Sequence, residues 1–234
     1  DFFYLLLSQI FHNPEIANLT RNVPLNIATC FVFISIATAI SYRGLDTTKV
    51  VQYVLVGFQL SVLVLFAGMA LWRTRNGEAF DATPISLDWF NPFGIDSFSA
   101  FAAGVSLSVF IYWGWDVVLT MTEETKGSAA TPGKAAALTI LVIVVIYQLM
   151  AVSLINFAGT SSGDFGLGNP DIQENIFAAL SGPVMGPVAI LMSIAVLGSS
   201  AASLQSTVIG PARTMLAMGY YGALPKRFAQ ITPR

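Results

Sequence analysis

The chain has 234 residues, of which 55% are hydrophobic and only 10% are charged, with a formal net charge of −2. A soluble domain carries about 25% charged residues, so this composition predicts a membrane protein with the lipid bilayer as its partner. The charge provides no basic surface for nucleic acid. A single cysteine and a single histidine exclude disulfide frameworks and Cys- or His-based metal sites, and we expect no metal and no cofactor.

In chain order, apolar runs alternate with shorter polar segments. Residues 1–12 lack the basic region and the cleavage site of a signal peptide, and they are typical of the end of a hydrophobic helix, so we expect a fragment. Later charge-poor runs have the ~20 apolar residues that a membrane-spanning helix needs. They lie at about 23–42, 50–72, 97–122, 135–159 and 183–209. The sequence predicts one all-α polytopic membrane domain over 1–234, with five full spans after an N-terminal stub.

The loops differ in charge when they are assigned alternately to the two sides of a membrane. One side holds Arg43, Lys49, Lys126, Lys134, Arg213, Lys226, Arg227 and Arg234. The other side holds Arg21, Arg73 and Arg75, together with most of the acidic residues. Basic residues concentrate in cytoplasmic loops. The first side is therefore predicted to be cytoplasmic, and the C-terminal segment at 210–234 lies on that side.

Asp116 interrupts the third predicted span. It lies about six residues past the middle of that span, or ~9 Å along a helix axis, within the ~15 Å half-thickness of the hydrocarbon core. An ionised Asp at the centre of a spanning helix costs about 2.5–3.5 kcal/mol. We expect Asp116 to face protein or a water-filled cavity and to have a functional role. The alternative is that it only fixes a neighbouring helix.

The same span contains Gly114, with Tyr112, Trp113 and Trp115 beside it. A glycine weakens a helix by about 1 kcal/mol relative to alanine, and three bulky rings cannot share one face. A short unwound segment would free backbone groups inside the membrane, which is tolerated where they line a cavity or are covered by protein. Transporters build polar sites in this way. The alternative is a continuous helix packed with aromatic side chains.

Two motifs resemble a known family. The stretch FIYWGWD at 110–116, followed by EETKGSAATPGKAA at 123–136, resembles the sixth span and following loop of amino acid permeases of the amino acid–polyamine–organocation superfamily. The stretch RTMLAMGYYGALPKRF at 213–228 resembles the segment after the eighth span of that family, although Tyr221 replaces the usual acidic residue. The resemblance covers the whole chain, from the end of the third span through the eighth.

The resemblance implies ten core helices in two inverted five-helix repeats, with spans one and six broken and the substrate between them. It implies that Phe110 is an aromatic gate and that Asp116 links gating or protonation to substrate release. The implied substrate-binding residues are Phe110, Ile111, Tyr112, Trp113 and Gly114, and the implied ion-site residues are Gln59, Ser199 and Ser200. Gln59 stands where some proton-coupled members have a lysine, and the serines stand where sodium-coupled relatives place hydroxyl ligands.

By resemblance, the function is secondary active transport of an amino acid or related amine across the plasma membrane, coupled to Na⁺ or H⁺ or to exchange. One alternative is a truncated membrane chain without transport of its own. A membrane-embedded enzyme is disfavoured because no HExxH motif occurs and Cys30 has no histidine partner. The serines have a packing alternative, since Ala195, Ser199, Ala202 and Ser206 form a stripe of small residues. The substrate and the oligomeric state stay open.

Overall fold

A computed structural model describes residues 2–42, 45–95, 97–114 and 130–230, and these residues contain helices and turns but no β-strand. The helices are α1 (Phe2–Phe11), α2 (Pro14–Ala17), α3 (Val23–Tyr42), α4 (Leu45–Arg75), α5 (Phe98–Ile111), α6 (Thr131–Ala158), α7 (Ile176–Met185) and α8 (Ile190–Tyr220). Four of the described helices, α3, α4, α6 and α8, are long and apolar enough to cross a membrane. The prediction of an all-α polytopic membrane protein is confirmed.

The described helices depart most from two of the predicted spans. The span predicted at 183–209 starts inside α7, which ends at Met185; a 3₁₀ turn at Gly186–Val188 follows, and α8 begins only at Ile190. Pro187 in that turn lacks a backbone N–H, which disfavours one continuous helix. At its other end α8 runs on to Tyr220, beyond the predicted limit. The span predicted at 97–122 contains α5, and 115–122 lies outside the described residues.

One hydrophobic core joins α4, α6, α7 and α8. Its buried members are Val62, Phe66, Ala67, Ala70, Met150, Phe157, Ala158, Leu180, Val184, Met185, Met192 and Ala195. They come from the C-terminal half of α4, the C-terminal part of α6, the short helix α7 and the first turns of α8. The rings of Phe66 and Phe177 meet edge to face at 5.8 Å between centroids. The core therefore lies at one end of the bundle, where α7 closes over the longer helices.

The loop that follows α4 is anchored on the end of α6. The Asn156 side-chain amide donates to the Thr83 carbonyl at 2.8 Å, and the backbone amides of Phe80 and Asp81 donate to the Phe157 carbonyl. The Phe80 ring contacts Phe165 edge to face at 5.4 Å. The two backbone amides give the Phe157 carbonyl donors that its own helix does not supply.

The C-terminal motif singled out in the sequence folds back onto the end of α8. A 3₁₀ turn at Lys226–Ala229 packs so closely on Gly219 that a Cβ there would lie 2.8 Å from the Ala229 nitrogen. The amides of Ala223 and Leu224 both donate to the Met218 carbonyl, at 2.8 and 3.1 Å. Only glycine leaves enough room at position 219 for this turn to pack. Packing therefore explains the presence of this residue in the motif.

Arg73 ties the end of α4 to the end of α7. Its Nε donates to the Val184 carbonyl at 2.6 Å, and its Nη1 pairs with the Glu78 carboxylate at 2.8 Å. Val184 lies in the last turn of α7, where carbonyls lack helical donors and where a cation is favoured by the helix dipole. Arg73 therefore caps α7 and holds it against the core.

We expect Arg73→Ala to lower the unfolding free energy by about 1–2 kcal/mol, because it leaves the Val184 carbonyl without its charged donor. Glu78→Ala should cost less, since the Glu78 side chain is 54% exposed and such ion pairs contribute about 0–1 kcal/mol. Thermal melting in detergent, followed by fluorescence-detected size exclusion, measures both changes. Arg75→Ala is the matched control, because Arg75 lies on the same helix and is exposed. Equal melting temperatures for Arg73→Ala and Arg75→Ala would contradict the capping role.

Candidate functional site

The helix α5 ends at Ile111, within the stretch that the sequence singled out. Its start is capped by Ser97, whose hydroxyl accepts from the Ala100 amide at 3.4 Å. At its end the Tyr112 amide donates to the Ser108 carbonyl at 3.0 Å, and the Trp113 amide turns back to the Phe110 carbonyl at 3.3 Å. Gly114 then has φ of +101°, a conformation that other residues rarely adopt. The α-helix therefore does not run unbroken through Gly114.

The residues around this turn are open rather than packed. The side chains of Phe110 and Trp113 are 72% and 77% exposed, Ile111 is exposed, and Tyr112 is half-buried. Nearly all of α5 is exposed as well. Such a turn makes backbone groups and aromatic rings accessible to a ligand or to a neighbouring helix. Asp116, the predicted coupling carboxylate, lies outside the described residues.

Tyr147 of α6 contacts this turn. Its hydroxyl donates to the Ile111 carbonyl at 3.3 Å, and its ring lies 5.3 Å from the Tyr112 ring with a tilt of 55°. Sequence reasoning missed this residue. The available signal was a phenol within the aliphatic run LTILVIVVIYQLM, where a buried or lipid-facing hydroxyl needs a partner.

The predicted ion-site residues lie on α4 and α8. Gln59 is half-buried on α4, and Ser199 is half-buried on α8. Ser200 is exposed, its hydroxyl donates to the Val196 carbonyl at 3.0 Å, and it borders a cavity of about 220 Å³ between α1, α3 and α8. Among the described residues, no hydrogen bond joins Gln59 to either serine or to the turn at the end of α5. Within the described part of the chain, the structure thus links these residues by no hydrogen bond.

The stripe of small residues on α8 faces its neighbours. Ala195 and Ala202 are buried, and Ser206 returns its hydroxyl to the Ala202 carbonyl at 3.1 Å. A Cβ added at the neighbouring Gly198 would lie 3.5 Å from the Leu55 side chain of α4. Close approach of two helices along small residues is the packing alternative considered for Ser199. These contacts support close α4–α8 packing along this stripe.

A pair of glutamines links α4 and α8 further along the same interface. Gln52 Nε2 donates to the Ala202 carbonyl at 2.9 Å and to Gln205 Oε1 at 3.1 Å. Because a carbonyl accepts, Gln52 must turn its nitrogen to Ala202, and Gln205 must then turn its oxygen to Gln52. Gln205 is 2% exposed, and its Nε2 has no partner among the described residues. The sequence did not suggest this pair, since the two residues are 153 positions apart.

These observations define the class of protein. The described residues form a helical membrane protein with one short helix that ends in a turn among aromatic residues. A sequence profile of the family described as amino acid permease matches residues 2–234. The chain belongs to the amino acid permease family, and the predicted resemblance is confirmed. This family is one of transporters. Ten inverted-repeat helices stay a prediction for the whole protein.

Individual relatives are distant and longer. The chain is 24% identical over 205 residues to the vacuolar cationic amino acid transporter 4 of Arabidopsis thaliana, a match that covers 87% of this chain and 32% of that protein. It is 27% identical over 211 residues to the branched-chain amino acid permease BcaP of Bacillus subtilis, covering 87% and 40%. It is 27% identical over 157 residues to a low-affinity methionine permease of Saccharomyces cerevisiae, covering 64% and 28%.

The chain therefore spans about a third of the length of these curated relatives. No solved structure matches the chain.

Proposed function

We propose that the protein containing this chain is a secondary active transporter of an amino acid or related amine. The observation that carries this proposal is the end of α5, where the helix stops at Ile111 and Gly114 turns the backbone at φ +101°. In an apolar span such a turn makes peptide groups available for a small charged solute. Membership of the amino acid permease family supports the same function.

The proposed substrate site consists of Phe110, Ile111, Tyr112, Trp113 and Gly114. Carbonyl oxygens at a helix C-terminus carry the negative end of the helix dipole, so they favour an ammonium group. The exposed ring of Phe110 is suited to cover a bound solute as a gate. No side-chain charge occurs among these residues, so recognition of the amino group falls to the backbone.

The proposed coupling ion is Na⁺ or H⁺, with exchange as the remaining mode. For Na⁺, the hydroxyls of Ser199 and Ser200 on α8 are the proposed ligands, and Gln59 on α4 is the proposed nearby amide. A neutral glutamine cannot replace a lysine cation, so proton coupling at Gln59 would need another group. Asp116 is the proposed proton carrier.

The printed names of the relatives suggest which substrates to test. They describe a cationic amino acid transporter, a branched-chain amino acid permease and a methionine permease. Radiolabelled lysine, leucine and methionine, with putrescine as an amine, should be offered to membrane vesicles containing the full gene product. Sodium and pH should be varied separately. We expect saturable uptake of at least one of these solutes above that of vesicles without the protein.

The outcomes separate the alternatives. Saturable uptake by the full gene product but not by the 234-residue chain would identify this chain as a membrane segment without transport of its own. No uptake or exchange of any amino acid or amine by the full product would overturn the proposal. The plasma membrane is the proposed location, with the C-terminal segment at 210–234 on the cytoplasmic side. Because one relative is vacuolar, fractionation of plasma and internal membranes tests this part.

Asp116→Asn is expected to remove the pH dependence of uptake while leaving protein in the membrane, because asparagine cannot take up or release the coupling proton. The measurement is the initial uptake rate between about pH 5 and 8, the range in which proteins are usually most stable. Asp88→Asn, at an exposed position in the loop before α5, is the control. An unchanged pH profile and rate in Asp116→Asn would refute the coupling role.

A further inference from the structure

Helix α5 is exposed along nearly its whole length, yet a neighbouring helix contacts its terminal turn. That contact comes from Tyr147 in the middle of α6, 36 residues away in sequence. We infer that Tyr147 is a positioning residue of the substrate site, which it serves by holding the Ile111 carbonyl. This inference rests on the proposed function.

Three carbonyls at the end of α5 have hydrogen-bond donors among the described residues. The Ser108 carbonyl accepts from the Tyr112 amide, and the Phe110 carbonyl accepts from the Trp113 amide, so both have backbone donors. The Ile111 carbonyl accepts from the hydroxyl of Tyr147 at 3.3 Å. Among the described residues, the donor to this carbonyl is thus a side chain of another helix.

The hydrogen bond from Tyr147 is compatible with substrate binding at the Ile111 carbonyl. A carbonyl oxygen has two lone pairs, so it can accept from Tyr147 and from an ammonium group at the same time. A hydroxyl is neutral and brings no competing positive charge to the site. The Tyr147 ring also lies 5.3 Å from Tyr112, which restricts how far the two helices can rotate against each other. Tyr147 thus orders an acceptor before the substrate arrives, which reduces the entropy lost on binding.

The experiment is Tyr147→Phe in the full gene product, with initial uptake of the accepted amino acid measured over a range of concentrations. The ring stays and the hydroxyl is lost. We expect KM to rise roughly two- to tenfold, the effect of one hydrogen bond, with the maximal rate per transporter molecule nearly unchanged. A loss of folding alone would lower the maximal rate and leave KM where it was, so the KM value separates positioning from stability.

Tyr53→Phe is the matched control, because Tyr53 lies exposed on the membrane-spanning helix α4 and its ring would still stand beside Lys49. Its KM should equal that of the natural protein. Binding of the same amino acid to purified protein gives a second measure, in which Tyr147→Phe should raise Kd by the same factor.

An unchanged KM and Kd in Tyr147→Phe overturn the inference and leave the proposed function intact. Failure of the Phe variant to reach the membrane also overturns it, because the hydroxyl would then be needed for folding. If the natural protein moves no amino acid or amine, the proposed function itself fails, and the two failures are distinguished.

Discussion

Gly114→Ala is expected to abolish most substrate uptake while the protein still inserts and accumulates in the membrane. Gly114 has φ of +101°, where an alanine Cβ clashes with its own backbone. Holding such a conformation costs about 1–3 kcal/mol, which lowers the population of the turn roughly five- to 150-fold. Surrounding atoms are not the cause, since a Cβ at this position would meet nothing within 4 Å.

Gly104→Ala is the control for this experiment. It lies in the regular part of α5, and a Cβ there would also meet nothing within 4 Å. Alanine at this position should stabilise the helix by up to about 1 kcal/mol, so uptake should not fall. Initial uptake rates, normalised to the amount of transporter in the membrane, compare the two variants. Full uptake by Gly114→Ala would mean that transport does not need this turn.

Phe66→Ala is expected to lower the free energy of unfolding by about 3 kcal/mol, near the lower end of the range for such changes in soluble cores. Phe66 is fully buried in the core shared by α4, α6, α7 and α8, and it meets Phe177 of α7 edge to face. Lipid tails are as apolar as a protein interior, so the cost arises chiefly from lost packing contacts and from the cavity.

Phe58→Ala is the matched control, because Phe58 lies two turns earlier on the same helix and is exposed. Thermal unfolding in one detergent, monitored by near-ultraviolet circular dichroism, compares both variants with the natural protein. We expect a clear drop in Tm for Phe66→Ala and a drop of at most a few degrees for Phe58→Ala. Similar Tm values for the two variants would show that the core around Phe66 contributes little to the stability of the helix bundle.

Some features of the site follow from local chemistry and could be predicted. The end of α5 is one of them, because Gly114 among bulky rings weakens a helix whatever surrounds it. The break between α7 and α8 was missed, although Pro187 in the turn gave a local signal for it. In that case the apolar composition of the run masked the break.

The sequence by itself determined that this is a helical membrane protein, carried the resemblance to the amino acid permease family and marked Gly114 as a weak point in its span. Composition, run length and backbone preference act locally and need no knowledge of neighbours. Only the tertiary structure decided that Tyr147 meets Ile111, that Gln52 meets Gln205 and that Arg73 caps α7. These partners are 36, 153 and 111 residues apart, and their meeting depends on how whole helices rotate and slide when they pack.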